Sequence, residues 1–206
     1  MTTEQLTPPS AGVDLYWLPL GAGDKTNCVR TNGRIFEWAT AQYRHRERLD
    51  LYHSALEVRT AGGRFTIEMA PVWSTDDPDR GVVGEGPVGL GWLGRSRLFR
   101  YEVRCWRDGI IPDVAEAVGS PRRLSTDPAQ AEQVISLVPA FPTATWGRDE
   151  LGTGDMWSSN SLVSWLLARS GHDIDAVGPP ENGRAPGWAA GLVVARRSLC
   201  HVAPHS

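Results

Sequence analysis

Two β-rich segments that flank a glycine-rich turn constrain the fold of this chain more than any other feature. The first segment reads LDLYHSALEVRT (49–60), the second reads RFTIEMAPVW (64–73), and Ala61-Gly62-Gly63 separates them. Each segment alternates apolar with polar residues, and a short glycine-containing connection between two such segments predicts an antiparallel β-hairpin. We therefore expect an antiparallel sheet that contains strands near 51–59 and 65–72.

The same alternation assigns the side chains of the hairpin to two faces. The apolar face is predicted to join the core, and it carries Leu56, Val58, Phe65, Ile67 and Met69. The opposite face combines a histidine, two acids and small residues, namely His53, Ala55, Glu57, Thr66, Glu68 and Ala70. Such a face is typical of a solvated sheet surface or of an accessible reactive surface, and the hairpin alone leaves both open.

The position of the turn decides which polar residues of the hairpin are neighbours. With Gly62-Gly63 at the centre of the turn, Glu68 lies opposite Glu57 and two pairs away from His53. A turn shifted towards Thr60-Ala61, or a bulge, would bring Glu68 beside His53. The sequence leaves both registers open.

The remaining segments predict helices among the strands, which is the order of an α+β fold. Strands are predicted at 13–20, at 96–106 and, as a last short strand, in GLVVARR (191–197). Helices are predicted at 35–48, at 113–118 and at 127–138, where Asp127 is the N-cap and Pro128 takes the first position. A loop is expected at 74–95. We expect one α+β domain over residues 13–196, with a disordered lead-in (1–12) and a flexible tail (197–206).

Composition narrows the classes of partner and environment. The 206 residues carry a net charge of −3, which gives no electrostatic reason to expect nucleic acid as a partner. No apolar run is long enough to span a membrane. The cysteines, Cys28, Cys105 and Cys200, are widely spaced and form no CxxC pair. We therefore expect a cytoplasmic protein without a disulfide framework, a metal site or a cofactor.

The stretch GDMWSSNSLVSWLL (154–167) begins polar and becomes apolar within one helical turn. It predicts a helix that starts near Ser158 and Ser159 and whose apolar stripe faces the core. Serine at a helix start is most often an N-cap. The free N–H groups and the positive end of the helix dipole also favour an anionic nucleophile or an oxyanion there. The segment therefore indicates either a capped structural helix or a nucleophile at a helix N-terminus.

The segments YHSALEV and SSNSLVSWLL together resemble motifs of the circularly permuted papain-like proteins, which include lecithin:retinol acyltransferase-like enzymes and relatives of the NlpC-type peptidases. Members place a histidine first, a second polar residue on the next strand, and a cysteine last, in an N-C-x-x-F-V helix start. On that pattern, Ser159 takes the place of the cysteine, His53 that of the base and Glu68 that of the orienting residue. Longer stretches such as LFRYEVRCWRDGIIPD also resemble a bacterial family of hypothetical proteins, which implies no function.

The papain-like resemblance implies an α+β fold in which an antiparallel sheet packs against the helix that bears the nucleophile. It implies a hydrolase, amidase or acyltransferase that acts on a small-molecule or peptide-like acyl substrate through an acyl-serine. Because serine replaces the usual cysteine, the weaker nucleophile needs a well-oriented base. Ser159, His53 and Glu68 must then fall in line in an open cleft. The alternatives are a cyclase in secondary metabolism and a non-catalytic binding or interaction module in which Ser159 is only a cap.

The cysteines are weaker candidates for the nucleophile. Cys28 precedes His53, which is the unpermuted papain order, but its surroundings, TNCVRTNG, predict a turn rather than a helix start. Neither Cys105 nor Cys200 begins a plausible helix or accompanies a histidine at useful spacing. We therefore expect no catalytic cysteine.

Three acids, Asp149, Glu150 and Asp155, precede the serine-rich helix. Their simplest role is to complement the positive N-terminus of that helix. One of them is an alternative to Glu68 as the residue that orients His53.

Overall fold

A β-sheet with three α-helices on one of its faces makes up the described part of the chain. The structure, a computed structural model, describes residues 10–20, 49–72, 77–89, 91–111 and 114–200. The strands are β1 (Gly12–Pro19), β2 (Asp50–Thr60), β3 (Gly63–Pro71), β4 (Val82–Pro87), β5 (Arg100–Arg107), β6 (Arg122–Ser125) and β7 (Gly183–Arg184). The helices are α1 (Pro128–Leu137), α2 (Ser159–Arg169) and α3 (Trp188–Cys200). The α+β class is confirmed, whereas the helix predicted at 35–48 lies outside the described residues.

The strands follow the spatial order β4-β5-β3-β2-β1-β6, and every neighbouring pair in this order is antiparallel. The main core lies between one face of this sheet and the helices. Its buried members include Leu15, Leu56, Ile67 and Val103 from the strands and Val134, Leu162 and Ala190 from the helices. The hairpin β2–β3 packs against α2, as the apolar patterns of both segments predicted.

The register of the hairpin differs from the prediction that placed two glycines at the turn centre. Glu57 pairs with Thr66 rather than with Glu68. The turn residues are Ala61-Gly62, because Gly63 already begins β3, with a φ of +127° that glycine adopts readily. The pairing therefore shifts by two residues, which leaves the division of side chains between the two faces unchanged.

The second face of the sheet is largely covered. A second apolar cluster lies there, formed by Tyr16, Leu18, Ala55 and Ile111. Thr66 on this face is fully buried, and its hydroxyl donates to the carbonyl of Gly109 at 2.9 Å. The expectation of a solvated or open face was therefore wrong for this part, because the chain that leaves β5 folds back over it.

Three different partners share the edge of β2 that faces away from β1. Ladder pairing with β3 runs from Thr60 only as far as Leu56. At the other end, β7 pairs with Asp50 and Leu51. Between these two ladders, the Tyr52 carbonyl accepts a hydrogen bond of 2.9 Å from the side chain of Asn160 in α2. Ladder pairing of β2 with β3 therefore ends at Leu56, and the first turn of α2 lies beside the remaining part of this edge.

Four other segments test the sequence predictions. In α1 the capping follows it, since the Asp127 carboxylate accepts from the Ala129 N–H at 2.8 Å and Pro128 is the first helical residue. GLVVARR lies within α3 and is not a strand. A short β-branched run does not distinguish a strand from a buried helix, and here Ala190 and Val194 are buried at helical spacing. The predicted loop at 74–95 contains β4, and of the predicted helix at 113–118 the structure describes a short 3₁₀ turn, Val114–Glu116.

Small residues allow α2 and α3 to approach each other closely. A Cβ atom at Gly191 would lie 2.1 Å from Ser164 Oγ and 2.3 Å from the Ser161 carbonyl oxygen. At Gly187, just before α3, a Cβ atom would lie 2.2 Å from Ser158 Oγ. Contacts this short require the neighbouring atoms to move, so the relative position of the two helices depends on these glycines.

We expect Gly191→Ala to lower the free energy of unfolding by about 1–3 kcal/mol, because the added methyl group must separate α3 from the backbone of α2. Gly178→Ala is the matched control, since a Cβ atom there meets nothing within 4 Å. Urea unfolding followed by tryptophan fluorescence measures both variants. Equal stability of the two would contradict the close approach of the helices.

Candidate active site

Ser158 is the N-cap of α2. Its backbone is extended, and its Oγ accepts from the Asn160 N–H at 3.1 Å and donates to the Pro186 carbonyl at 2.7 Å. The Ser158 N–H donates to Ser161 Oγ at 3.0 Å, which completes a capping box. The cap predicted for this helix start is therefore Ser158.

Ser161 and Asp155 connect the start of α2 to the start of α3. Ser161 Oγ donates to the Gly187 carbonyl at 2.8 Å. The Asp155 carboxylate accepts from the N–H groups of Met156 and Gly187, at 2.9 Å and 2.8 Å. A carboxylate at this position complements the positive ends of both helices. Asp155 thus has the first of the two roles considered for the acids that precede α2.

Asn160 connects α2 to β2, a role that the sequence analysis did not assign. Its Nδ2 donates to the carbonyls of Tyr52 and Pro186, both at 2.9 Å, and its Oδ1 accepts from Ser54 Oγ at 2.8 Å. Asn160 is 2% exposed and Ser54 is 1% exposed. The only sequence signal was an asparagine among serines at a helix start, and that pattern does not reveal which strand the side chain reaches.

Ser159 is the polar residue of this first turn whose side chain makes no structural hydrogen bond. Neither its hydroxyl nor its backbone N–H has a partner within the part of the chain that the structure describes. The residue is 3% exposed, so access to it is narrow. The first N–H groups of a helix carry its partial positive charge. Ser159 therefore combines an unbonded hydroxyl with an adjacent unbonded donor at the positive end of α2.

His53 lies in β2 between the two residues that Asn160 binds, Tyr52 and Ser54. Its backbone is therefore beside the first turn of α2. Its half-buried side chain belongs to the second face of the sheet, because it pairs with Leu18 of the second apolar cluster. Burial lowers the pKa of His53 to about 4, so the imidazole is neutral at pH 7.

Glu68 is bound by an arginine rather than by the histidine. It pairs across strands with Arg104 of β5, and the two side chains form an ion pair of 2.9 Å. Arg104 also binds Glu102, which accepts a second ion pair from Arg80 at 2.6 Å. Burial raises the pKa of Glu68 more than Arg104 lowers it. The hairpin analysis missed this partner because β3 has a second neighbour, β5, whose Arg104 is distant in sequence.

The in-line arrangement expected for Ser159, His53 and Glu68 is not formed. None of the three side chains hydrogen-bonds another in the described structure. Ser159 lies in the first turn of α2, on the side of the sheet that carries the main core, whereas the His53 side chain belongs to the second sheet face. Glu68 lies farther along β3, on Arg104.

The other two acids before α2 stabilise the loop in which they lie. Hydrogen bonds from Thr153 and Gly154 lower the pKa of the Asp149 carboxyl. The hydroxyl and the N–H of Thr145 lower the pKa of Glu150 in the same way. None of the three acids that precede α2 therefore bonds to the histidine.

Neither Cys105 nor a cluster of metal-ligating side chains forms an alternative centre in the described ranges. Burial raises the pKa of Cys105 to about 11, which keeps this thiol protonated and unreactive at pH 7. Cys200 is the last residue of α3, and Cys28 lies outside the described residues. No group of three or more His, Cys, Asp or Glu side chains in these ranges is arranged to hold a metal ion. The described helices also lack the combined length and apolar character that crossing a membrane requires.

Comparisons of the chain with protein-family models, with curated proteins and with solved structures gave no match. The papain-like resemblance therefore rests on the two quoted segments alone.

We expect Ser158→Ala to lower the free energy of unfolding by about 0.5–2 kcal/mol, because it removes the cap of α2. Ser159→Ala should change it by less than about 0.5 kcal/mol, since the hydroxyl that it removes has no partner. Thermal unfolding followed by circular dichroism measures the difference. A larger loss for Ser159→Ala than for Ser158→Ala would mean that Ser159 has a structural role.

Proposed function

We propose that this protein is an acyl-transfer enzyme of papain-like type, a hydrolase, amidase or acyltransferase that works through an acyl-serine. The observation that carries the proposal is the difference in hydrogen bonding among the polar residues at the start of α2. The neighbouring polar residues each hold the helix in place, whereas the Ser159 hydroxyl has no hydrogen-bond partner among the described residues. Ser159 is the nucleophile and His53 is the base. The substrate is a small-molecule or peptide-like acyl compound of the cytoplasm.

The proposed reaction begins with attack of Ser159 Oγ on the acyl carbon. The hydroxyl proton passes to a ring nitrogen of His53 as the new C–O bond forms. The bond to the leaving group then breaks, and the imidazolium returns its proton to that group. Water attacks the acyl-serine with His53 again as base, which releases the acid and restores the hydroxyl. A second substrate in place of water gives a transferase, and an internal nucleophile of the acyl chain gives a cyclase.

The backbone N–H of Ser159 supports this assignment. A donor next to the nucleophile, at the positive end of a helix, is suited to stabilise the negative oxygen of the tetrahedral intermediate. Asn160 N–H is occupied by the Ser158 cap, and Ser161 N–H donates to the Ser158 carbonyl at 3.0 Å. Ser159 N–H is therefore the donor of the first turn that remains available to a substrate.

Proton transfer requires the His53 ring to leave the second face of the sheet and reach the first turn of α2. The part of β2 that carries His53 lies beyond the ladder with β3, so that ladder does not fix this residue. Catalytic hydrogen bonds are often long or misaligned before substrate binds and tighten in the complex. In the proposal, the ring reaches Ser159 in the substrate complex.

A non-catalytic binding or interaction module is the second candidate. The observation that favours it is that Ser159 and His53 lie on different sides of the sheet, while Arg104 holds Glu68. In that case the serine-rich start of α2 is only a structural junction. The two candidates differ in whether Ser159 forms a covalent adduct.

We expect the wild-type protein to form a covalent adduct at Ser159 with a fluorophosphonate probe or with small activated esters. Ser159→Ala should abolish the adduct, and His53→Ala should lower its rate of formation by about 10²–10⁴-fold, the usual contribution of a general base. Ser159→Cys should retain reactivity because a thiol is the better nucleophile. Intact-mass analysis and peptide mapping measure the adduct.

Ser164→Ala is the matched control for these variants. Ser164 is a buried serine of the same helix, and its Oγ donates to the Trp188 carbonyl at 2.8 Å, away from β2. Its removal should leave labelling unchanged. A folded wild-type protein that never labels at Ser159 would rule out the enzyme and leave the binding module.

We expect labelling of Ser159 to depend on pH with a midpoint near 4, because the pKa of His53 lies at about 4 instead of 6.5. The neutral base is then present at every pH well above that value. In the unfolded chain His53 takes up its proton near the ordinary pKa, so stability should fall as pH decreases from about 6.5 towards 4. Labelling rates and urea unfolding measured over this pH range test the expected pH dependence of labelling and of stability. A labelling midpoint near 6.5 would contradict the burial of the ring.

A further inference from the structure

Asn160 makes the hydrogen bonds that join α2 to β2 in the described structure, and it makes them on either side of His53. We infer that Asn160 is a positioning residue for the proposed reaction, which holds the backbone of His53 in place relative to Ser159. This inference rests on the proposed function, because it gives Asn160 a role through those two groups.

The hydrogen-bonding capacity of the Asn160 side chain is directed to two segments besides its own helix. Both hydrogens of Nδ2 are used, one on the Tyr52 carbonyl and one on the Pro186 carbonyl. Oδ1 accepts from Ser54 Oγ. The residue is 2% exposed, so water does not compete for these partners. A buried amide that is satisfied on both ends has one orientation.

The other polar side chains of the first turn do not duplicate this connection. Ser158 and Ser161 donate to the carbonyls of Pro186 and Gly187, and so they hold α2 to α3. Without Asn160, the segment of β2 around His53 would lose its side-chain link to α2 at a place where β3 no longer pairs with it.

A small displacement at this junction has a large effect on the proposed reaction. Misplacing a catalytic group by about 1 Å is enough to slow a reaction by about 10²-fold. The loss should appear in the chemical step, because Tyr52, Ser54 and Pro186 occupy both ends of the Asn160 side chain, which leaves none of its polar atoms for the acyl substrate. Asn160 thus differs from a residue that merely stabilises the fold, whose removal lowers the folded fraction without changing the reactivity of the molecules that remain folded.

The test uses the rate of covalent labelling of Ser159 by the fluorophosphonate probe, which does not depend on knowing the natural substrate. The probe occupies the acyl site, so this rate reports how well the base assists the serine in the complex. His53→Ala should lower the rate. Asn160→Ala should lower it by about 10²-fold, and Ser54→Ala, the milder change, should lower it less. Ser164→Ala should leave it unchanged, because the Ser164 hydroxyl donates to the Trp188 carbonyl of α3.

A second arm measures turnover of an activated ester with Ser159 intact. Asn160→Ala should lower kcat by about 10²-fold with KM unchanged, and Ser54→Ala should lower it less. Circular dichroism and urea unfolding establish that each variant is folded under assay conditions.

The outcomes separate the inference from the proposed function. If His53→Ala does not change the labelling rate, the two groups do not act together, and the Ser159–His53 assignment fails together with the inference. If His53→Ala lowers that rate but folded Asn160→Ala and Ser54→Ala leave it unchanged, the assignment stands and the positioning role of Asn160 is wrong. An unchanged kcat in both of the latter variants would overturn the inference in the same way.

Discussion

The backbone of β2 requires hydrogen-bond partners along both edges, and the way its second edge is satisfied determines much of the remaining structure. A buried carbonyl without a partner costs about 1–3 kcal/mol. β3 serves this edge as far as Leu56, β7 serves it at Asp50 and Leu51, and Asn160 serves the Tyr52 carbonyl between them. Because Asn160 belongs to the first turn of α2, satisfying one strand carbonyl fixes where that helix begins. The candidate site lies at this junction.

The helical spacing of the serines separates their roles. Ser158, Ser161 and Ser164 follow one another at intervals of three, so they share a face of α2, and their hydroxyls donate to the carbonyls of residues 186, 187 and 188. Gly191 leaves room for this contact. Asn160 is turned towards β2, and the Ser159 hydroxyl bonds to neither partner. A run of similar polar residues therefore divides into a helix–helix contact, a helix–strand contact and one hydroxyl that has no partner in the described structure.

The features that could be predicted from the sequence depend on local interactions. The capping of α1 by Asp127 and the two faces of the hairpin follow from residues a few positions apart. The register does not, because a turn at Ala61-Gly62 and a turn at Gly62-Gly63 are both compatible with the alternation. The contacts at the candidate site link residues far apart in sequence, 106 positions for Ser54 and Asn160 and 36 for Glu68 and Arg104. No spacing rule reports such pairs. Ser159 and His53 could be nominated because their segments resemble papain-like motifs, whereas nothing in the sequence indicated the partner of Glu68.

The ion pairs on the second sheet face bear directly on the chemistry proposed for Ser159. Arg104 is 1% exposed, and it binds both Glu68 and Glu102. Removing one partner of a buried ion pair costs about 3–5 kcal/mol. A Glu68 carboxylate that turned away from Arg104 to His53 would leave Arg104 with Glu102 as its partner, so the ion pair opposes a Ser-His-Glu triad. Under the proposed function, His53 acts without an acid, and loss of that acid in known triads slows the reaction by roughly 10⁴-fold. Acyl groups with a good leaving group suit such a pair best, since their departure needs the least help from a protonated histidine.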